Sequence, residues 1–251
     1  MYYYSIRNKV LKFFPILRSL KKYNIIIPKF LEYVVWPILK PQKILYDGKF
    51  FFTSTKKYSN PSRDMFAYKN IYNSYEKKII ENYLQKKSNC IDVGANIGFF
   101  SYLFLKTVGK DGKIFAFENI PEVFHILKKN FEIEQNVICN FGTVGVEKES
   151  LIIDNIVNCK IHFIKIDIDG ADYFALKSCE QIIKRDRPII IIELSEASER
   201  EHKVNYSKTI EFLLKYDYNI YEIGSKLIKF DRKLKFREVI NVLALNSSTK
   251  I

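Results

Sequence analysis

Three groups of residues in this chain have the types and spacing to do chemistry. The first is Asn89 to Phe100, NCIDVGANIGFF, where the apolar run Cys90, Ile91, Asp92, Val93 leads through Gly94, Ala95, Asn96, Ile97 and Gly98 into a segment of helical character. That order is strand, glycine-bearing turn, helix start. Glycine lacks a Cβ, so a flat or charged ligand can lie against the backbone and against the free N–H groups that open the helix. The second is Glu118, which closes the apolar run Ile114 to Phe117 and stands 24 residues beyond Gly94. A carboxylate at the tip of a second strand can accept hydrogen bonds from both hydroxyls of a ribose, and doubly wound sheets bind ligands at the carboxyl ends of their strands. The third is Ile161 to Asp172, IHFIKIDIDGAD, an apolar run that emerges into Asp167, Asp169 and Asp172 around Gly170. Carboxylates at the end of a buried strand are costly unless they bind something. Glu193 ends a later apolar run, PIIIIEL, and His202 follows in what reads as a loop.

The spacing separates two nucleotide chemistries. A dinucleotide fingerprint needs G-x-G-x-x-G; here Gly94 and Gly98 flank Asn96, and the next glycine is Gly109. The pattern D-x-G-A-N-x-G instead resembles motif I of class I S-adenosylmethionine-dependent methyltransferases, and its wording is similar to that of the FkbM family. The segment Ile161 to Asp172 resembles the family's K-I-D-x-E-G-A-E, with Asp169 and Asp172 where Glu is usual, and PIIIIEL resembles a later family segment. The resemblance covers about Ile71 to Leu245 and places its two main blocks about 75 residues apart.

What the resemblance implies is a class I methyltransferase fold: α/β and Rossmann-like, with a mostly parallel sheet of the seven-stranded type, helices on both faces and an antiparallel last strand. It implies S-adenosylmethionine held by Asp92, Gly94, Asn96, Gly98, Glu118 and Asn119, with Asp92 and Gly94 beside the methionine part. Only Phe141 to Leu151 separates the third strand from Ile152-Ile153-Asp154, which resembles the family's L-D-D segment; the family usually has a longer insert there, carrying adenine contacts and another strand. The sheet is therefore expected to run as much as one strand short.

The elements that must position these residues follow from periodicity. Ile71 to Lys87 has apolar residues at helical spacing, and its Tyr75-Glu76 pair resembles the family's Y-E over the cofactor site. Strands are expected at 89 to 93, 113 to 117, 137 to 140, 161 to 167 and 188 to 194. Helices are expected near 98 to 107, 121 to 134 and 171 to 184, and two last strands at 218 to 223 and 239 to 245. This is the alternation of a parallel sheet with crossovers. Upstream, Lys49 to Thr55 reads as a strand and Arg63 to Lys69 as a loop or short turn.

Charge divides the chain unevenly. Residues 1 to 90 hold 18 Lys and Arg against 5 Asp and Glu, whereas 91 to 251 hold 23 of each. The expected organisation is a basic, aromatic-rich extension over 1 to 70 and a methyltransferase domain over 71 to 251. Tyr2 to Leu20 has a rough amphipathic pattern broken at Pro15, and Ile25 to Leu39 is too short and too broken to span a bilayer. Peripheral contact with an anionic membrane face is compatible with this pattern, as is a solvated basic surface. The four cysteines, Cys90, Cys139, Cys159 and Cys179, form no CxxC pair and read as reduced thiols of a cytoplasmic protein. His125, inside a helix, and His162, at the start of a strand, read as structural.

The resemblance points to O-methylation of a sugar or polyketide-like hydroxyl, as in surface-polysaccharide assembly. Such an acceptor needs a base, and the candidates are Asp167, Asp169, Glu193 and His202. Mg²⁺ held by the same carboxylates is the alternative to solvated or ion-paired aspartates and is not the preferred reading. The rival function class is a degenerate methyltransferase-fold module docked to a membrane or glycan-assembly complex. An RNA methyltransferase would suit a formal charge of +13. Against that reading, the excess charge lies outside the catalytic domain and no N-P-P-Y-type motif follows the fourth strand, so nucleic acid is not the expected partner.

Overall fold

The structure is a computed structural model that describes residues 28–54, 60–68, 72–230 and 239–249. Its contacts divide the chain into two compact units, Met1–Asn73 and Ser74–Ile251. The expected boundary at 70/71 and the amphipathic pattern of Tyr2 to Leu20 fall on residues outside those described.

In the first unit a helical stretch (α1) runs from 28 to 39, through a π-helical section Leu31–Val35 into Trp36–Leu39. A hairpin of β1 (Lys43–Tyr46) and β2 (Lys49–Phe52) follows, then helix α2 (Asn60–Tyr68). Through Tyr68 the helix replaces the loop or short turn expected over Arg63 to Lys69, whose last residue lies outside the described residues. Pro61 suits its first turn, and Ser62, Met65 and Phe66 share a buried face. Phe66 packs on Trp36 with ring centroids 5.5 Å apart.

The second unit is a three-layer α/β structure. Its elements are α3 (Ser74–Tyr83), β3 (Cys90–Val93), α4 (Phe99–Val108), β4 (Ile114–Glu118), α5 (Pro121–Asn130), β5 (Val137–Phe141), α6 (Ile153–Ile156), β6 (Phe163–Ile166), α7 (Asp172–Ser178), α8 (Glu180–Asp186), β7 (Ile189–Ser195), α9 (Ala197–His202), α10 (Ser207–Lys215), β8 (Tyr218–Glu222), β9 (Ile228–Lys229) and β10 (Val239–Asn246). The sheet order is β5-β4-β3-β6-β7-β10-β8-β9. β3 to β7 pair in parallel, and β10 enters antiparallel between β7 and β8. The short 141–151 link costs the sheet no strand: eight are present among the described residues. That link closes on itself, with Leu151 N–H donating to the Thr143 carbonyl at 2.8 Å.

Side-chain alternation divides the sheet into two chemically different faces. Ile91, Val93, Phe117, Ile164, Ile166, Ile190 and Ile192 belong to one continuous apolar core. On the other face, Phe163 meets Phe104 of α4 with centroids 5.3 Å apart, but the next positions on β3 and β6, Asp92 and Lys165, are charged. Asp92, Lys165 and Ile191 stand side by side in the parallel register, with Glu193 two residues past Ile191. The helix expected near 171 to 184 is broken at Cys179, because the Asp154 carboxylate takes the N–H groups of Gln181 and Ile182 and starts a separate helix, α8.

Candidate functional site

The turn between β3 and α4 explains its own spelling. Gly94, Asn96 and Gly98 all have positive φ, at 77°, 51° and 94°, so every second residue takes the left-handed conformation that glycine and asparagine adopt at least cost. A Cβ on Gly94 would lie 1.9 Å from the Asp167 carbonyl oxygen, and one on Gly98 would lie 2.2 Å from the Phe131 ring. The turn is thus pressed between the ends of β6 and α5. Gly94 and Ala95 N–H both donate to the Phe117 carbonyl, at 3.0 and 2.9 Å, and the Asn130 side chain donates to Ile97 O at 2.8 Å.

Glu118 turns toward this loop. Its Oε2 accepts from Asn96 N at 2.9 Å, and its Oε1 accepts from Asn119 N and Ile120 N, each at 2.9 Å. Burial pushes the Glu118 pKa up, and the three backbone donors oppose that shift. Val93, Phe117, Val144 and Ile168 give apolar walls to a cavity of about 60 Å³ beside Glu118 and Asn119. Gly142 to Val144 line the same cavity, so the shortened link does reach the site. Wider clefts of about 640 and 690 Å³ open toward the amino ends of β4 and β5, beside Val137 and Lys113. Parallel sheets bind ligands at the opposite ends of their strands, which is where the small cavity lies, with the Glu118 carboxylate beside apolar walls.

Asp92 is 1% exposed, and its Oδ2 accepts from the Ser101 hydroxyl at 2.5 Å. It braces the turn from beneath. Burial lifts its pKa to about 6, against the opposing pull of Ser101 and of the Lys165 charge.

The second half of the site lies at the ends of β6 and β7. Lys165, 1% exposed, sets its ammonium 2.7 Å from Asp167 Oδ2 and 4.9 Å from the centre of the Phe100 ring. Lys165 is not among the site residues expected from the sequence, although a single cation inside the apolar run IHFIKID is a visible signal. Glu193 is crowded: burial first, then the charges of Asp167 and Asp172, push its pKa up to about 8. Beside it in the sheet register is Asn241, whose amide donates to Glu76 Oε1 of α3 at 3.1 Å. Glu76 therefore joins this half of the site, on the same side as α4.

The remaining candidates scatter. Asp172 accepts from Ile168 N and Gly170 N, both at 3.1 Å, and so shapes the loop, with a pKa lifted to about 6 by burial. Asp169 is exposed, with φ of 50°. His202 lies in helix α9 rather than in the expected loop, its ring packed edge-on against Phe174 at 6.0 Å, and among the described residues it makes no ion pair with the carboxylates. His162 accepts at Nδ1 from Asn89 N at 3.0 Å and ties β3 to β6 at their amino ends. Among the described residues no group of three or more His, Cys, Asp or Glu side chains is arranged to take a metal ion.

Comparison with known proteins bears on the fold. Residues 140–220 match the family model described as Methyltransferase FkbM domain, a span that includes the Asp167 to Asp172 block and Glu193. A search of curated proteins found no match. Among solved structures, precorrin-6y C5,15-methyltransferase from Geobacter metallireducens GS-15 has a TM-score of 0.50 at 17% identity, over 78% of this chain and 94% of that one. M. jannaschii TYW2 in complex with AdoMet has a TM-score of 0.49 at 16% identity, over 80% and 83%. Methyltransferase FkbM from Methylobacillus flagellatus KT has a TM-score of 0.47 at 18% identity, over 63% of this chain and 44% of that one. At such identities the likeness shows the fold alone. The fold is that of the class I, Rossmann-like methyltransferases, and the matching family model is that of the family that the motifs resemble.

Proposed function

From the class I methyltransferase fold and the FkbM domain match, we propose that the chain is an S-adenosylmethionine-dependent O-methyltransferase acting on a sugar hydroxyl of a surface polysaccharide or related glycan. The observation that carries the reading is the pairing of two unlike half-sites across Gly94: a backbone-built cradle at Glu118, and a side-chain cluster at Asp167 and Glu193.

The residues present fit the cofactor chemically. Glu118 Oε2, which accepts one backbone N–H, keeps a lone pair for a ribose hydroxyl, while Val93, Phe117, Val144 and Ile168 offer apolar surface to the adenine. Admission of the nucleoside requires the Gly142 to Val144 link to part from Ile168, because about 60 Å³ holds only a water or two. When bound, S-adenosylmethionine supplies a methyl group on a sulfonium, an already activated leaving group. What remains for the protein is alignment and removal of the acceptor's proton. Asp167, paired with Lys165, is the group proposed to orient the acceptor hydroxyl. Glu193 is the group proposed to take the proton. A base is most effective when its pKa lies close to the working pH, and a value of about 8 meets that condition.

The test is calorimetric titration of the full chain with S-adenosylhomocysteine, alongside Glu118→Ala and Glu193→Gln. Micromolar binding lost in the first variant and kept in the second is expected; sugar acceptors are then screened by methyl transfer. The narrow cavity is the specific observation favouring the second reading, a degenerate binding module. A folded wild-type chain that takes up no S-adenosylhomocysteine would overturn the enzyme reading and favour the second.

A further inference from the structure

Helix α1 is apolar on two sides, which is unusual for a helix that is not fully enclosed. One side faces its own unit: Leu31 and Trp36 are buried, and the Glu32 carboxylate accepts from Tyr68 OH at 2.6 Å and pairs with Arg63 at 3.1 Å. Away from those buried positions the helix carries Phe30, Tyr33, Val34, Pro37 and Ile38. All five are exposed, Tyr33 at 66% and Ile38 at 77%, and no charged residue interrupts them. Lys29 and Lys40 flank the face at its two ends, also exposed. Tyr33 also borders Glu32 and Asp64 on one side; single exposed apolar residues need no explanation, but five on one helix with a lysine at each end mark a contact surface.

We infer that this face of α1 lies in the interfacial layer of an anionic lipid bilayer. Charge selects the occupant. Residues 1 to 73 hold 14 Lys and Arg against 3 Asp and Glu, so a second copy of the chain would bring like charges together, whereas anionic headgroups are complementary. Length selects the mode. Twelve helical residues extend about 18 Å, well short of the roughly 30 Å hydrocarbon core, and no helix among the described residues is long and apolar enough to cross a membrane. A short helix of this kind lies flat, with its apolar face immersed among the headgroups and acyl-chain ends, its tyrosine at the water boundary and its lysines on the phosphates. Such docking would hold the chain at a surface without inserting it.

The experiment is flotation of the full chain with vesicles of phosphatidylcholine alone and of phosphatidylcholine mixed with phosphatidylglycerol, for wild type and for Tyr33→Asp combined with Ile38→Asp. Wild type is expected to partition about tenfold or more in favour of the anionic vesicles, and the double variant to lose about tenfold or more of that binding. Both side chains are exposed, so thermal melting of the variant should match wild type. Equal flotation of the two proteins would assign binding to charge alone and overturn the inference. So would a wild-type chain that stays off the vesicles, or a wild-type dimer in sedimentation that the double variant disperses, which would make the face an interface between copies.

Discussion

Glu118 and Glu193 stand at the carboxyl ends of neighbouring parts of one sheet, and the chain treats them in opposite ways. Three backbone N–H groups, each at 2.9 Å, converge on Glu118, so its geometry is fixed by the path of the main chain. Glu193 instead faces Asp167 and Asp172, with Lys165 as the nearby cation, and its pKa climbs to about 8. The lesson is a division of labour. In the half that resembles a nucleoside site the Glu118 carboxylate is preorganised by backbone, and the part a ligand would have to move is the Gly142 to Val144 link. The other half is assembled from side chains in electrostatic conflict, which a hydrogen-bonding acceptor would relieve.

The largest effect should come where the halves touch. Gly94→Ala drives a methyl group into the Asp167 carbonyl and demands φ of 77° from a residue with a Cβ, so a loss of about 4 kcal/mol or more, or outright failure to fold, is expected by denaturant unfolding. Gly48→Ala is the control, since φ is 88° there but the space is open; a cost of about 1 kcal/mol would separate backbone strain from collision. Equal costs at the two sites would mean that Gly94 is not the contact between the halves.

Lys165→Met tests the side-chain half alone. It leaves Asp167 without its buried partner, beside Asp92, Asp172 and Glu193, and should cost about 3 kcal/mol. Affinity for S-adenosylhomocysteine should change little, because no backbone donor of the Glu118 cradle is touched. A parallel collapse of that affinity would erase the distinction between the halves. Glu118→Ala is the converse and milder case. Three N–H groups lose their acceptor, at about 2 kcal/mol of stability once water enters, and the loss of ligand affinity should exceed the loss of stability.

The cradle was legible in the sequence because its constraints are local. Alternating positive φ selects Gly, Asn, Gly at fixed spacing, and Glu118 ends a strand whose apolar run sets its position. The sheet was legible for a similar reason: strands buried on both faces must be apolar throughout, as β3, β4 and β6 are apart from Asp92, Glu118 and Lys165. The conflict at Glu193 was not legible, since it depends on which strands lie side by side. Lys165, Asp167, Glu193, Asn241 and Glu76 come from three strands and a helix spread over 165 residues of chain. Helix α2 and the break at Cys179 were missed for the same reason: each depends on tertiary partners, Trp36 for the first and Asp154 for the second.

The smallest predicted change is the most diagnostic. Below about pH 4.5 the Glu193 carboxyl holds its proton in both folded and unfolded chains; between there and about pH 8 only the folded chain keeps it. A folded-state pKa above the unfolded one contributes stability at low pH that is lost as pH rises through the folded value. Wild type should therefore weaken from about pH 5 to about pH 8, whereas Glu193→Gln, which cannot ionise, should escape this loss. The variant should gain about 1–2 kcal/mol on wild type across that range, after allowance for partial solvent exposure. Asp92 and Asp172, with pKa values near 6 from burial, add a slope of the same sign, but both proteins share it, so the difference between their curves isolates Glu193. Methyl transfer by wild type should climb with pH to a plateau above about 8, and the variant should lose about a hundredfold or more in rate. Parallel stability curves would show that Glu193 ionises normally, and the contrast with Glu118 would then be one of geometry alone.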